Sequence, residues 1–107
     1  MSAVSQAILD QLGGRAFLAM TGARDLVGGE RRLTFRLPRG FAKDQINRVE
    51  IVLDASDTYS VRFTKGNAQA RVRRIVRYET GIYDEMLAPL FRDATGLETR
   101  MPRIIRR

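Results

Sequence analysis

Between residues 48 and 78 apolar and polar side chains alternate through three successive runs. The first sets Val49, Ile51 and Leu53 against Arg48, Glu50, Val52 and Asp54. The second sets Tyr59, Val61 and Phe63 against Ser60, Arg62 and Thr64. The third sets Val72, Val76 and Tyr78 against Arg71, Arg73, Ile75 and Arg77. A period of two sends alternate side chains to opposite faces of a strand. Turns at 54–57 and 65–67 are short, so the three strands pair antiparallel as a meander. One face of this sheet is greasy and the other basic. Arg74 breaks the alternation by falling on the apolar side, which a bulge or a snorkelling side chain would explain.

The flanking segments read as covers and further strands. Leu33, Phe35 and Leu37 alternate with Thr34 and Arg36, a half-buried strand that Pro38 ends. The run Ala16-Phe17-Leu18-Ala19-Met20 is read as a buried strand over residues 15–21. Gly28-Gly29-Glu30 is a turn, and Leu26-Val27 before it a loop or one helical turn. Ser2 is placed to cap a helix over Ala3–Leu12, whose Val4, Ile8 and Leu12 form a stripe while Ser5, Gln6 and Asp10 point away from it. Gly13-Gly14 stops that helix. Ile82, Tyr83, Met86, Leu87, Leu90, Phe91 and Ala94 predict a second helix over 82–95, bent at Pro89 and ended by Gly96. The expected fold is α+β: an N-terminal helix, about five antiparallel strands in a meander, and a C-terminal helix packed on one sheet face. Residues 1–97 form one domain and 98–107 a loosely docked basic tail, with no internal repeat.

With 107 residues, 44% of them hydrophobic, the chain can bury a core without staples. It has no Cys and no His. Disulfides, Cys/His zinc sites, thiol nucleophiles and His-based acid–base chemistry are therefore excluded. No P-loop or dinucleotide-binding glycine pattern occurs. Asp54 with Asp57, and Asp84 with Glu85, are the only acidic pairs to consider. They read as a turn and a helix start, so the expectation is no enzyme, no metal and no cofactor. No apolar run approaches the roughly 18–20 residues that span a bilayer. The first residues lack a basic and then apolar leader, which predicts a cytoplasmic protein without a membrane partner.

The net charge is +7. Residues 1–60 carry 8 basic and 7 acidic side chains, and residues 61–107 carry 11 and 5, so the excess sits in the second half. All the basic residues except Lys43 and Lys65 are arginines, whose planar forks suit phosphate and carboxylate. The residues expected to contact an anionic partner are Arg36, Arg48, Arg62, Arg71, Arg73 and Arg77 on the sheet, with Arg103 and Arg106 in the tail. Arg39 and Lys43 make a second, weaker group in the loop after Pro38. Nucleic acid, DNA or RNA, is the partner expected. The aromatic residues fall mostly on the inward face, which favours backbone or shape recognition over base stacking. The same face also reads as a solvated surface kept charged against edge-to-edge aggregation. A protein-binding inhibitor or modulator of a host factor, such as a defence nucleoprotein complex, is the alternative.

Three blocks carry a resemblance: Leu12-Gly13-Gly14-Arg15-Ala16-Phe17-Leu18-Ala19-Met20-Thr21-Gly22-Ala23, Leu37-Pro38-Arg39-Gly40-Phe41-Ala42-Lys43-Asp44-Gln45-Ile46-Asn47, and the stretch from Gly81-Ile82-Tyr83 to Thr95-Gly96-Leu97. Over residues 8–97 the chain resembles a group of short proteins carried by bacterial prophages and plasmids. The resemblance implies a mobile-DNA context, a cytoplasmic product and an accessory or anti-host role. It assigns no functional residue.

Overall fold

Ser2 caps the first helix, α1 (Ala3–Leu12), its Oγ accepting from the Ser5 N–H at 3.1 Å. In the computed structural model, which describes residues 1–66 and 73–99, α1 is followed by α2 (Gly14–Thr21) and then by five strands. The strands are β1 (Arg24–Gly28), β2 (Arg32–Arg36), β3 (Arg48–Leu53), β4 (Tyr59–Lys65) and β5 (Arg74–Ile82). They form one antiparallel sheet in the order β1-β2-β3-β4-β5, a meander. A 3₁₀ turn at Asp84–Met86 leads into α3 (Leu87–Thr95). The fold is α+β, with its helices on one face of the sheet.

The covered face carries Leu33 and Phe35 of β2, Val49 and Ile51 of β3, and Val61 and Phe63 of β4, all buried. Their registers run straight across the strands: Leu33, Ile51 and Val61 form one row, and Phe35, Val49 and Phe63 the next. Ile8 and Leu12 of α1, Phe17 of α2, and Leu87 and Phe91 of α3 close over these rows. At the centre, the Phe17 ring meets Phe35 at 5.3 Å and Phe91 at 5.1 Å, both edge-on. Such edge contacts align each ring's positive rim with a negative face.

Residues 15–21 are helical, not a strand. Only Phe17 and Thr21 of α2 are buried, a spacing of four that suits a helix lying on the sheet. Ala, Leu and Met are strong helix formers, and α1 and α3 supply the packing that so short a helix needs. The fifth strand comes instead from Arg24–Gly28, where a loop or helical turn was expected.

Helices α2 and α3 each end on the same device. The Thr21 hydroxyl donates to the Phe17 carbonyl and the Thr95 hydroxyl to the Phe91 carbonyl, both at 2.7 Å. Each hydroxyl then accepts the backbone N–H two residues on, from Ala23 and Leu97. A left-handed glycine follows in each case, Gly22 at φ 69° and Gly96 at φ 74°.

Two further expectations change. Ile82 closes β5 opposite Tyr59, so the last helix begins only at Leu87. Pro89 thereby falls in the first turn of α3, where the missing N–H has no intrahelical partner to lose, and no interior kink arises. Ser5 is fully buried, because the β1–β2 turn folds over the start of α1. Ser2 Oγ donates to the Gly29 carbonyl at 2.8 Å, and a Cβ at Gly28 would lie 2.7 Å from Ser5 Oγ. β5 is described from Arg74, and the expected contacts Arg71, Arg103 and Arg106 lie outside the described residues.

Candidate nucleic-acid interface

The sheet face opposite the helices is open. Its residues form cross-strand rows fixed by the register. In the first row Arg24 of β1 faces Arg36 of β2, which faces Arg48 of β3, which faces Thr64 of β4. Arg73, just before β5, joins this row by donating from Nε to Thr64 Oγ1 at 3.0 Å. The second row is Val27, Thr34, Glu50, Arg62 and Tyr78.

The two rows differ in charge. Glu50 sits between Arg62 at 3.5 Å and Arg32 at 3.9 Å, so the second row is largely balanced. Among the described residues, the one carboxylate within ion-pair distance of the first row is Asp25, 4.0 Å from Arg36. Among the described residues Arg24, Arg48 and Arg73 have no carboxylate within ion-pair distance. Like charges directly opposite on neighbouring strands are unfavourable. Burial, and then the nearby Arg48 and Arg36 charges, lower the Arg73 guanidinium below its ordinary pKa. Arg73 is nonetheless held firmly, since Asn47 Oδ1 also accepts from its Nη2 while Asn47 Nδ2 donates to the Gly66 carbonyl.

Arg36, Arg48, Arg62 and Arg73, all expected to share a face, do so. Arg77 does not. It stands opposite Phe63, on the helix-covered side. There its Nη1 donates to Asp93 of α3 at 2.7 Å and its Nε to Glu79 at 2.8 Å. The cause is a shift in the β4–β5 register: Phe63 pairs with Arg77 but Thr64 pairs with Ile75, leaving Val76 as an extra residue. A bulge of this kind re-phases the side chains that follow it, here up to the second register shift before Ile82. Arg77 therefore turns inward and Tyr78, expected inward, turns out, 51% exposed. The break in alternation at Arg74 is the sequence signal of that bulge. Arg24 was missed because its segment reads as a turn. Lys43 reaches the other side of the molecule, with its Nζ 3.5 Å from the Asp93 carbonyl.

Arg48, Glu50, Arg62, Thr64, Arg73 and Ile75 line a shallow concavity of about 240 Å³ on the open face. Tyr78 stands beside Arg62, with the Arg62 guanidinium carbon 5.4 Å from the ring centroid, a cation–π contact. One member of each acidic pair bonds locally. Asp54 accepts from Ser60 at the β3–β4 turn, and Asp84 accepts from the Glu85 N–H at 2.8 Å. No group of three or more acidic side chains able to hold a metal occurs among the described residues. Nor is any described helix long and apolar enough to cross a membrane.

Fold and face together define a small α+β protein with one helix-covered and one open, arginine-lined sheet face. Compared with protein-family models, curated proteins and solved structures, the chain matches none.

Proposed function

We propose that the protein binds nucleic acid without catalysis, through Arg24, Arg36, Arg48, Arg62 and Arg73 on the open sheet face. The observation that carries this reading is the cationic first row. Arg24, Arg36 and Arg48 lie opposite one another on three adjacent strands, and among the described residues Asp25 is the one carboxylate within ion-pair distance of them. Such a row works against folding at low salt, and an anionic polymer laid across it relieves the repulsion. Guanidinium forks match phosphate oxygens in geometry as well as charge. Release of counterions from the polymer then drives association. A cytoplasmic setting, and the mobile-element accessory role implied by the resemblance, belong to the same proposal.

The test is binding of the purified protein to unrelated duplex DNA, single-stranded DNA and RNA across a salt series. Affinity that falls linearly with salt on logarithmic axes supports the reading. No binding at low salt, or a slope near zero, overturns it. Nuclease-insensitive capture of an acidic host protein, in the absence of such binding, would favour the modulator alternative.

A further inference from the structure

The open face has a second property besides charge: beside its cations it exposes flat and apolar surface. Ile75 is 55% and Tyr78 51% exposed; Ile75 lines the concavity that contains Arg48 and Arg73, and Tyr78 stands beside its Arg62. Neither belongs on a surface that reads only a phosphate backbone. A duplex hides its base faces in its own stack and offers a protein phosphates and groove edges. An unpaired strand offers both phosphates and open base faces.

We infer that the occupant of this face is a single strand, with phosphates along Arg36, Arg48 and Arg73 and a base resting on Tyr78, its edge toward Ile75 at the end of the first row. This rests on the nucleic-acid reading above and narrows it. Glu50 gives the arrangement its direction. Its carboxylate stands in the second row and repels phosphate, which keeps the backbone to the first row. The second row, balanced by the Glu50 pairs and ending in Tyr78, is left for the bases. The two rows lie two strand residues apart, roughly 7 Å. Arg62 both neutralises Glu50 and lies over the Tyr78 ring, so it holds the edge of the stacking surface in place. Stacking is sequence-tolerant, because every base has a π face.

The experiment compares three ligands at matched salt: a mixed-sequence single strand, the same strand annealed to its complement, and an abasic strand of equal length. The single strand should bind most tightly. Tyr78→Ala should weaken single-strand binding roughly five- to a hundredfold while leaving abasic-strand binding and the salt slope unchanged. Tyr78→Phe should keep nearly wild-type affinity, since the ring and not the hydroxyl does the stacking. Ile75→Ser gives a second, smaller loss, and melting curves of each variant check that it folds. Duplex binding as tight as single-strand binding, or Tyr78→Ala binding the single strand like wild type, overturns this inference and leaves the proposed function standing. Failure of all three ligands to bind overturns both.

Discussion

Arg36 faces Arg48 directly across the β2–β3 ladder, and among the described residues neither has a carboxylate closer than the 4.0 Å that separates Arg36 from Asp25. A pair like this weakens a sheet whose interior is otherwise well packed. Replacing Arg48 with Thr, a good strand former, should therefore stabilise the free protein by roughly 0.2–0.5 kcal/mol at low salt, the lower part of the range for cross-strand pairs because the side chains are exposed. Denaturant titrations at low and high salt check it. The gain should shrink as salt screens the repulsion. The same substitution should weaken nucleic-acid binding, so stability and binding move in opposite directions.

Arg77 gives the complementary case. Its partners Asp93 and Glu79 make it a structural cation, so Arg77→Gln should lower the melting temperature modestly and leave nucleic-acid affinity unchanged. The pH dependence follows from Asp93. The hydrogen bond from Arg77, and then its charge, hold the Asp93 carboxyl below the ordinary range. A carboxylate with a depressed folded-state pKa contributes stability above its unfolded value of about 3.9 and loses it as pH falls through the lowered one. The same ion pair raises the Arg77 pKa, whose effect lies at alkaline pH beyond the working range. Melting curves of wild type and Arg77→Gln should differ at pH 7 and converge in strong acid.

Asn47 holds Arg73 beside Thr64 and ties the β4–β5 hairpin through Gly66. Asn47→Ala should leave the fold intact at a cost of about 1 kcal/mol. Affinity should fall with it, because the Arg73 side chain loses its fixed position. Binding curves at low salt, with far-UV circular dichroism as the folding control, measure both effects.

The core makes its own demand. Phe91 is buried against Phe17 and reaches toward Phe35, so Phe91→Ala should cost about 3–5 kcal/mol in denaturant unfolding. Gly22→Ala should also destabilise, for a different reason. Its φ of 69° is left-handed, and a Cβ there would come 2.8 Å from Pro38 Cγ.

Much of this was legible in the chain. The β3 and β4 runs alternate without interruption, and the structure keeps their faces as read. Ser2 as a cap, Gly13 as a stop and Gly96 after the last helix also follow from local chemistry alone. The failures share a physical cause: local pattern yields where tertiary packing decides. The five apolar residues 16–20 suit either a strand or a buried helix, and only the arrival of Phe35 and Phe91 settles the matter for Phe17. Position within the helix decided Pro89, since a first-turn proline and an interior one look alike until the helix start is fixed. The site was half legible for a related reason. Arg36, Arg48 and Arg62 sit on regular strands, but one bulged residue at Val76 exchanged the faces of Arg77 and Tyr78. That exchange removed a cation from the open face and gave it an aromatic ring.

The open face, rather than the total charge, is the proposed site of polymer binding. The most direct measurement is the salt dependence of nucleic-acid affinity for wild type, for Arg48→Gln/Arg73→Gln and for Arg77→Gln/Lys43→Gln, two doubles that remove the same charge from opposite faces. The open-face double should lose affinity and flatten the logarithmic slope by roughly 1.4–1.8, about 0.7–0.9 for each lost phosphate contact, while the covered-face double keeps the wild-type slope. Equal losses in both doubles, or an unchanged slope in the first, would contradict it.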